Sequence, residues 1–230
     1  MTGLKFNWAG ALRRFPPPVH PHQPWLGRLV DAYIGAHGRR GGVTNKPQPA
    51  VNLFNMSPQE IFQFCPKCGG RREAGAPPQP FVCHACGFHF YFNPCLAVAA
   101  ILLGPDDRAL FIRRAHEPAK GKLAVPGGFV DIGETAEMAM RREIKEEVNL
   151  EVGPLEFLVT ATNQYDFRGV VYPVLDIAFV CRAISLEGIA ALDGVESYCW
   201  LNPAEVSLDE IAFPSIRAAL AAFASSHSCG

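Results

Sequence analysis

The 230-residue chain has no run of eighteen apolar residues, so no segment is long enough to cross a bilayer as a helix. No secretory signal is recognisable, which argues against reading the eight cysteines as a disulfide framework. Acidic residues are scarce at one end only: residues 1–55 hold seven Lys/Arg against Asp31 alone. Residues 56–230 reverse the balance, with fourteen basic and twenty-one acidic residues, so the formal net charge of −1 hides a split. The larger part therefore lacks the positive field that general nucleic-acid binding needs. No internal repeat is visible.

Residues 1–55 also lack hydrophobic periodicity. They contain seven Pro and seven Gly, including Phe15-Pro16-Pro17-Pro18 and Gly38-Arg39-Arg40-Gly41-Gly42. Such a composition buries too little apolar surface to offset chain entropy, so residues 1–60 are expected to form an extension without fixed structure. Two alternatives stay open. An Arg-bearing, acid-poor leader also suits a transit peptide, although this one is short of Ser. Met56-Ser57-Pro58-Gln59-Glu60 would also serve as a translation start. The expected location is cytoplasmic, with no membrane partner.

Cys65-Pro66-Lys67-Cys68-Gly69 and Cys83-His84-Ala85-Cys86-Gly87 form two CxxC knuckles separated by fourteen residues. The glycine closing each knuckle permits a tight turn beneath a metal. Four thiolates at this spacing suit tetrahedral Zn²⁺, and a closed four-sulfur site is structural rather than catalytic. A redox CxxC is the competing reading, but two copies flanking a short Pro/Gly segment favour zinc. His84 and His89 are not needed as ligands. Cys95, Cys181, Cys199 and Cys229 read as free thiols, mostly buried in strands. The ribbon is expected to span residues 61–93.

The densest chemistry lies between Gly128 and Leu150. Gly128 is followed after five residues by Glu134, then after seven more by Arg142-Glu143-Ile144-Lys145-Glu146-Glu147-Val148-Asn149-Leu150. Pro126-Gly127-Gly128 and Gly133 supply turn residues ahead of a helix. Thr135 is an N-cap candidate, Glu137 favours the positive end of the helix dipole, and Ala136–Val148 contains neither Pro nor Gly. Asn149 ends the run, since Asn tolerates a left-handed conformation better than any residue but Gly. Ala136, Met140, Ile144 and Val148 recur every four residues as a stripe to be buried. Glu143 and Glu147 are also four apart and share a neighbouring stripe, with Glu146 beside them. Carboxylates this close repel unless a cation joins them, and hard oxygen ligands suit Mg²⁺ or Mn²⁺, which also bind phosphate oxygens. An ordinary solvated face of Glu, Lys and Arg is the bland alternative, made less attractive by the upstream Gly-Gly-x5-Glu. Arg142 reads as an orienter of a Glu carboxylate.

The remaining pattern supplies a sheet. Leu96–Leu103 and Arg108–Arg113 are apolar runs joined by Gly104-Pro105-Asp106-Asp107, a strand hairpin. Lys122–Val125, Glu156–Thr162, Val170–Arg182 and Tyr198–Leu201 read as further strands, and Phe213–Phe223 as a closing amphipathic helix. Strands with two helices predict an α/β sandwich with a mixed sheet over residues 94–228.

The segment from Gly128 to Leu150 resembles the Nudix signature, G-x5-E-x7-R-E-U-x-E-E-x-G-U with U aliphatic, departing from it only at Asn149. With the knuckles upstream, the chain resembles Nudix hydrolases that carry an N-terminal zinc ribbon. Tyr91-Phe92-Asn93-Pro94, Gly121-Lys122-Leu123-Ala124-Val125-Pro126-Gly127-Gly128-Phe129 and Ala212-Phe213-Pro214-Ser215-Ile216-Arg217 support the likeness, which covers about 165 residues, from Phe64 to Phe223. The resemblance implies an α/β/α fold and divalent-metal-dependent cleavage of a nucleoside diphosphate linked to another group. It implies Glu143, Glu147 and the Gly127 carbonyl as metal ligands, with Glu146 and Glu196 as further ligands or the general base; a surface position for Glu196 stays open. The S-Q-P-W-P-type motif of the NADH pyrophosphatase type is absent, since Ala161-Thr162-Asn163-Gln164-Tyr165-Asp166-Phe167 stands in that region. The chain resembles the subgroup acting on ADP-ribose or FAD more closely. Phe129, Asn163, Tyr165, Phe167 and Tyr172 then fall where substrate readers would sit, with strand packing as the alternative. Arg113 and Arg114 are candidate phosphate contacts or surface residues. A small-molecule nucleotide is the expected partner, and a homodimer is usual among such proteins. Three other readings compete: a nucleic-acid-binding ribbon, a ligand-sensing regulator and an RNA-cap-removing enzyme. The retained glutamates oppose the regulator, and a segment 65–95 carrying only Lys67, Arg71 and Arg72 against Glu73 opposes nucleic acid.

Overall fold

The computed structural model describes residues 56–73 and 80–227; the expectation for residues 1–55 lies outside the described residues. Residues 56–60, assigned by sequence to the extension, are ordered. Val171 N–H donates to the Met56 carbonyl at 2.9 Å, and Met56 N–H donates to Gly169 at 3.2 Å. Helix α1 (Pro58–Ile61) follows, with Glu60 accepting from the Ser57 N–H at 2.7 Å. A Ser-x-x-Glu box thus fixes a segment whose composition alone suggests none.

The ribbon contains a two-stranded antiparallel ladder, β1 (Phe81–Val82) against β2 (His89–Phe90). Its buried core is Cys65, Phe81 and Cys83. So small a core cannot offset the entropy of ordering the chain without a cross-link or metal.

The main sheet is organised by β3 (Cys95–Leu103). β3 runs parallel to β8 (Val170–Arg182) over all nine residues and antiparallel to β6 (Gly127–Phe129). Beyond β8 lies β7 (Glu156–Phe167), joined to it by the two-residue turn Arg168-Gly169, both at positive φ. That is the type I′ geometry matching strand twist. A second arm contains β4 (Ala109–Arg114) between β5 (Leu123–Ala124) and β9 (Val195–Leu201). The arms meet only where Leu103 pairs with Ala109 at the β3–β4 hairpin, so they diverge and leave a cleft between β3 and β4.

Every residue of β3 from Ala97 to Leu103 is buried, so both faces of the sheet are covered. Helix α2 (Ala136–Val148) buries Ala139, Met140, Ile144 and Val148, and α3 (Pro214–His227) buries Ile216, Ala219, Leu220 and Phe223. Each such Met or Ile side chain contributes about 1.5–3 kcal/mol. The expected α/β sandwich with a mixed sheet is therefore present. Three details differ from expectation. β7 extends five residues further, because Asn163–Phe167 pair along β8. β9 begins at Val195. Gly127–Phe129, read as a turn, is a strand paired with β3. Among the described residues no helix is long and apolar enough to cross a membrane.

Candidate active site

Helix α2 and strand β6 build the site. The Thr135 hydroxyl accepts from Met138 N–H at 3.2 Å, and Asn149 closes the helix in the left-handed conformation at φ 56°. These two caps set the rotation of the helix about its axis. Burying the Met140–Ile144–Val148 stripe then turns Glu143 and Glu147 toward β6. Glycine is required on β6 by close approach. A Cβ on Gly127 would collide with the Val98 carbonyl, and one on Gly128 would lie 2.5 Å from Glu143 Oε1.

Arg142 holds the carboxylates apart. Its Nε and Nη2 donate to the two oxygens of Glu134 at 2.8 and 2.9 Å, a bidentate fork. Nη1 reaches Glu143 at 2.7 Å and Glu146 at 3.1 Å, and Nη2 also reaches the Phe129 carbonyl at 3.0 Å. The guanidinium holds Glu134 below its ordinary carboxyl range. Arg142 is anchored on Glu134, eight residues upstream, and reaches Glu143 and Glu146 from there.

Glu147 has no such partner. It accepts the Gly127 N–H at 3.0 Å, and burial pushes its carboxyl well above the ordinary range, with Glu143 and Asp193 adding like charge. Burial also raises Glu143, against the pull of Arg142 and with Glu146 and Asp131 adding to the rise. Two raised carboxyls beside a close backbone turn are oxygen donors suited to a hard divalent cation. Asp131, inside the Gly128–Leu150 segment, and Asp193, far downstream of it, add like charge here and were not singled out by the sequence. Glu196 is exposed on β9, at the bulge facing Arg113 and Arg114.

Four of the residues expected to read substrate line one cavity of about 170 Å³ in the cleft: Arg114, Phe129, Asn163 and Tyr165. Phe129 meets Tyr165 edge-on at 5.3 Å, Tyr165 lies 6.1 Å from Phe213, and the Arg114 guanidinium lies 4.9 Å over the Phe213 ring. Arg113 is not among the lining residues. Strand alternation sends it to the other face, where it donates to the Gly121 carbonyl. Phe167 and Tyr172 also lie outside the lining. Asp176 and Ser215 line the cavity and were missed. Asp176 sits in the apolar run of β8, where an acid is the anomaly that could have signalled it.

The four ribbon cysteines, Cys65, Cys68, Cys83 and Cys86, bring their sulfurs within 4.8 Å of one another. Cys65 and Cys86 are 3.7 Å apart and Cys68 and Cys83 3.6 Å, which are separations of thiolates around one ion rather than bonded sulfurs.

The NUDIX domain family matches residues 93–223, more than half of the chain, and the chain belongs to that family. It is 39% identical over 111 residues to an ADP-ribose pyrophosphatase of Methanocaldococcus jannaschii, covering 48% of this chain and 63% of that protein. It is 33% identical over 140 residues to the NAD-capped RNA hydrolase NudC of Pseudomonas aeruginosa, covering 61% of this chain and 48% of that one. The chain thus spans less than two thirds of the length of these curated relatives. A NUDIX hydrolase crystal structure from Nitrosomonas europaea shares the fold, with a TM-score of 0.59 and 24% identity over 73% of this chain and 93% of that one.

Proposed function

We propose that this chain is a divalent-cation-dependent pyrophosphohydrolase cleaving a nucleoside diphosphate joined to another group, of the ADP-ribose, FAD or NAD-related kind. The observation that carries the reading is Glu147, a buried carboxylate held by one backbone N–H beside a second raised carboxyl, Glu143. Glu143, Glu147 and the Gly127 carbonyl would hold Mg²⁺ or Mn²⁺. A bound cation would neutralise charge on the diphosphate oxygens and lower the pKa of a water. Arg142 positions Glu143 and Glu146, and Arg114 lies where a phosphate would leave the cavity. Glu146 has more solvent access than the other signature glutamates, its side chain 32% exposed against 18% for Glu134 and 15% for Glu143 with Glu147 buried, and we assign it the proton of the attacking water. Glu196 is assigned to the rim as a further ligand. Water adds to one phosphorus, the bridging P–O bond breaks, and a nucleoside monophosphate leaves with a phosphorylated partner. Cys65, Cys68, Cys83 and Cys86 hold a structural Zn²⁺. The names of the relatives support both ADP-ribose and NAD-related substrates, so the absence of the S-Q-P-W-P-type motif does not remove the latter.

The test is product analysis on ADP-ribose, FAD, NADH and an NAD-capped RNA with Mg²⁺ and Mn²⁺. AMP release that disappears in Glu146→Gln and Glu147→Gln is expected. Turnover of none of them by folded, zinc-loaded protein would overturn the proposal.

A further inference from the structure

Asp176 lies in the middle of β8, beside Ala97 of β3 and Ala161 of β7. Its Oδ2 is buried with no hydrogen-bond partner, the one such side-chain oxygen or nitrogen among the described residues. A buried acceptor without a donor is costly, and nothing in the packing of a strand centre calls for an acid. The carboxylate lines the 170 Å³ cavity, whose other walls include Phe129, Tyr165 and Phe213. The small side chains of Ala97 and Ala99 keep the space above the sheet open. Cavities of about 150 Å³ accept a benzene-sized ring, so a planar heteroaromatic base fits the space and the aromatic walls suit its faces.

The polar groups at the floor are few and directional. Asn163 Oδ1 accepts the Gln164 N–H at 2.8 Å, which leaves its amide N–H₂ to face the Asp176 carboxylate. Ser215 is buried, 4% exposed, at the first turn of α3. Burial raises the Asp176 carboxyl, while Ser215 and Asn163 hold it down. Gly127 and Gly128 line this cavity and also adjoin Glu147 and Glu143, so a base here and a diphosphate there would belong to one ligand.

We propose that Asp176 is a specificity-determining residue, its carboxylate accepting an N–H from the exocyclic amine or carboxamide of a base seated in this cavity. The inference rests on the pyrophosphohydrolase reading for the diphosphate but not for turnover. Adenine and nicotinamide share the recognised chemistry, and the experiment separates them.

Calorimetric binding to the full chain is measured with two pairs: AMP against IMP, and nicotinamide mononucleotide against its nicotinic acid counterpart. Wild type is expected to favour the amino or carboxamide member of one pair by on the order of 10- to 100-fold, the range for a lost hydrogen bond to a charged acceptor. The pair that discriminates identifies the ring. Asp176→Asn, which presents an N–H₂ of its own, is expected to erase that preference or reverse it toward the oxo or acid member. Equal affinities within both pairs, no binding of any of the four, or a preference unchanged in Asp176→Asn would overturn the inference. The wild-type comparison needs no variant and stands whether or not Asp176→Asn folds. Discrimination without hydrolysis of any substrate would leave this inference standing and remove the reading on which its diphosphate rests.

Discussion

Glu147→Gln is expected to remove activity and, without divalent cation, to make the protein more stable. The wild-type carboxylate is buried and raised well above its ordinary range, so ionising it costs folding free energy. Gln keeps an oxygen to accept the Gly127 N–H, which Glu147 binds at 3.0 Å, and loses only the charge. The sign follows from proton linkage. The folded protein holds this proton to higher pH than the unfolded chain, so wild-type stability falls as pH rises from the unfolded value near about 4.3 to the raised folded value. At pH 5 the two proteins should differ little; at pH 8 Gln should lead. A buried ionised group lacking full compensation costs about 1–3 kcal/mol, and 1 kcal/mol moves the midpoint of a domain this size by about 2–4 °C, giving a gap of about 2–12 °C. The assay is thermal unfolding across pH 5–8 in buffer without added Mg²⁺ or Mn²⁺ and without chelator, so that zinc is retained. Adding Mg²⁺ should raise the wild-type midpoint and leave that of the variant nearly unchanged, since a cation that binds only the folded state stabilises it by mass action. A variant less stable than wild type at pH 8 without cation would refute the reasoning, because Glu147 would then not be an uncompensated buried charge.

Arg142→Lys should lower kcat by on the order of 100-fold with little change in melting temperature, because a point charge cannot reproduce the fork that grips Glu134 while reaching Glu143; steady-state kinetics beside a melt checks it. Cys68→Ser should reduce zinc content, read by elemental analysis, from one ion per chain to none and expose the Phe81 core of the ribbon to protease, while the melt of the residue 93–223 domain is retained.

Helix α2 was legible in its bounds, and Met140, Ile144 and Val148 of the expected stripe are buried, although Ala139 is buried where Ala136 was expected and Ala136 is only half-buried. Thr135, Asn149 and the four-residue stripe act within one element, and local rules decide such features. β8 was legible for a similar reason: its run is apolar on both sides of Asp176. What escaped depends on pairing across the chain. Gly127 and Gly128 carry turn chemistry in sequence, yet pairing with Ala99 and Val98 of β3 makes them a strand, and the Val98 carbonyl leaves no room for a side chain at Gly127. Asn163–Phe167 lay beyond the strand as read, and β8 supplies the hydrogen-bond partners that extend it. The cavity was half legible: Phe129, Asn163 and Tyr165 converge as expected. Arg113 faces away because alternation assigns it to the other side of β4. Asp176 was hidden by its apolar neighbours, since a pattern that marks a buried strand gives no reason to stop at one acid.

Asn149 occupies the one position where the chain departs from the signature, and its side chain does more than tolerate the turn. Its amide donates to the Gly188 carbonyl at 2.8 Å. The segment beyond then closes three otherwise open carbonyls of α2: Ala190 N–H donates to Val148 at 3.2 Å, Leu192 to Glu147 at 2.9 Å and Asp193 to Glu146 at 3.3 Å. A stretch of irregular chain therefore acts as a splint on the last turn of the helix, the turn that carries Glu146 and Glu147. Lengthening or shortening residues 185–193 would loosen those carboxylates before it loosened the sheet.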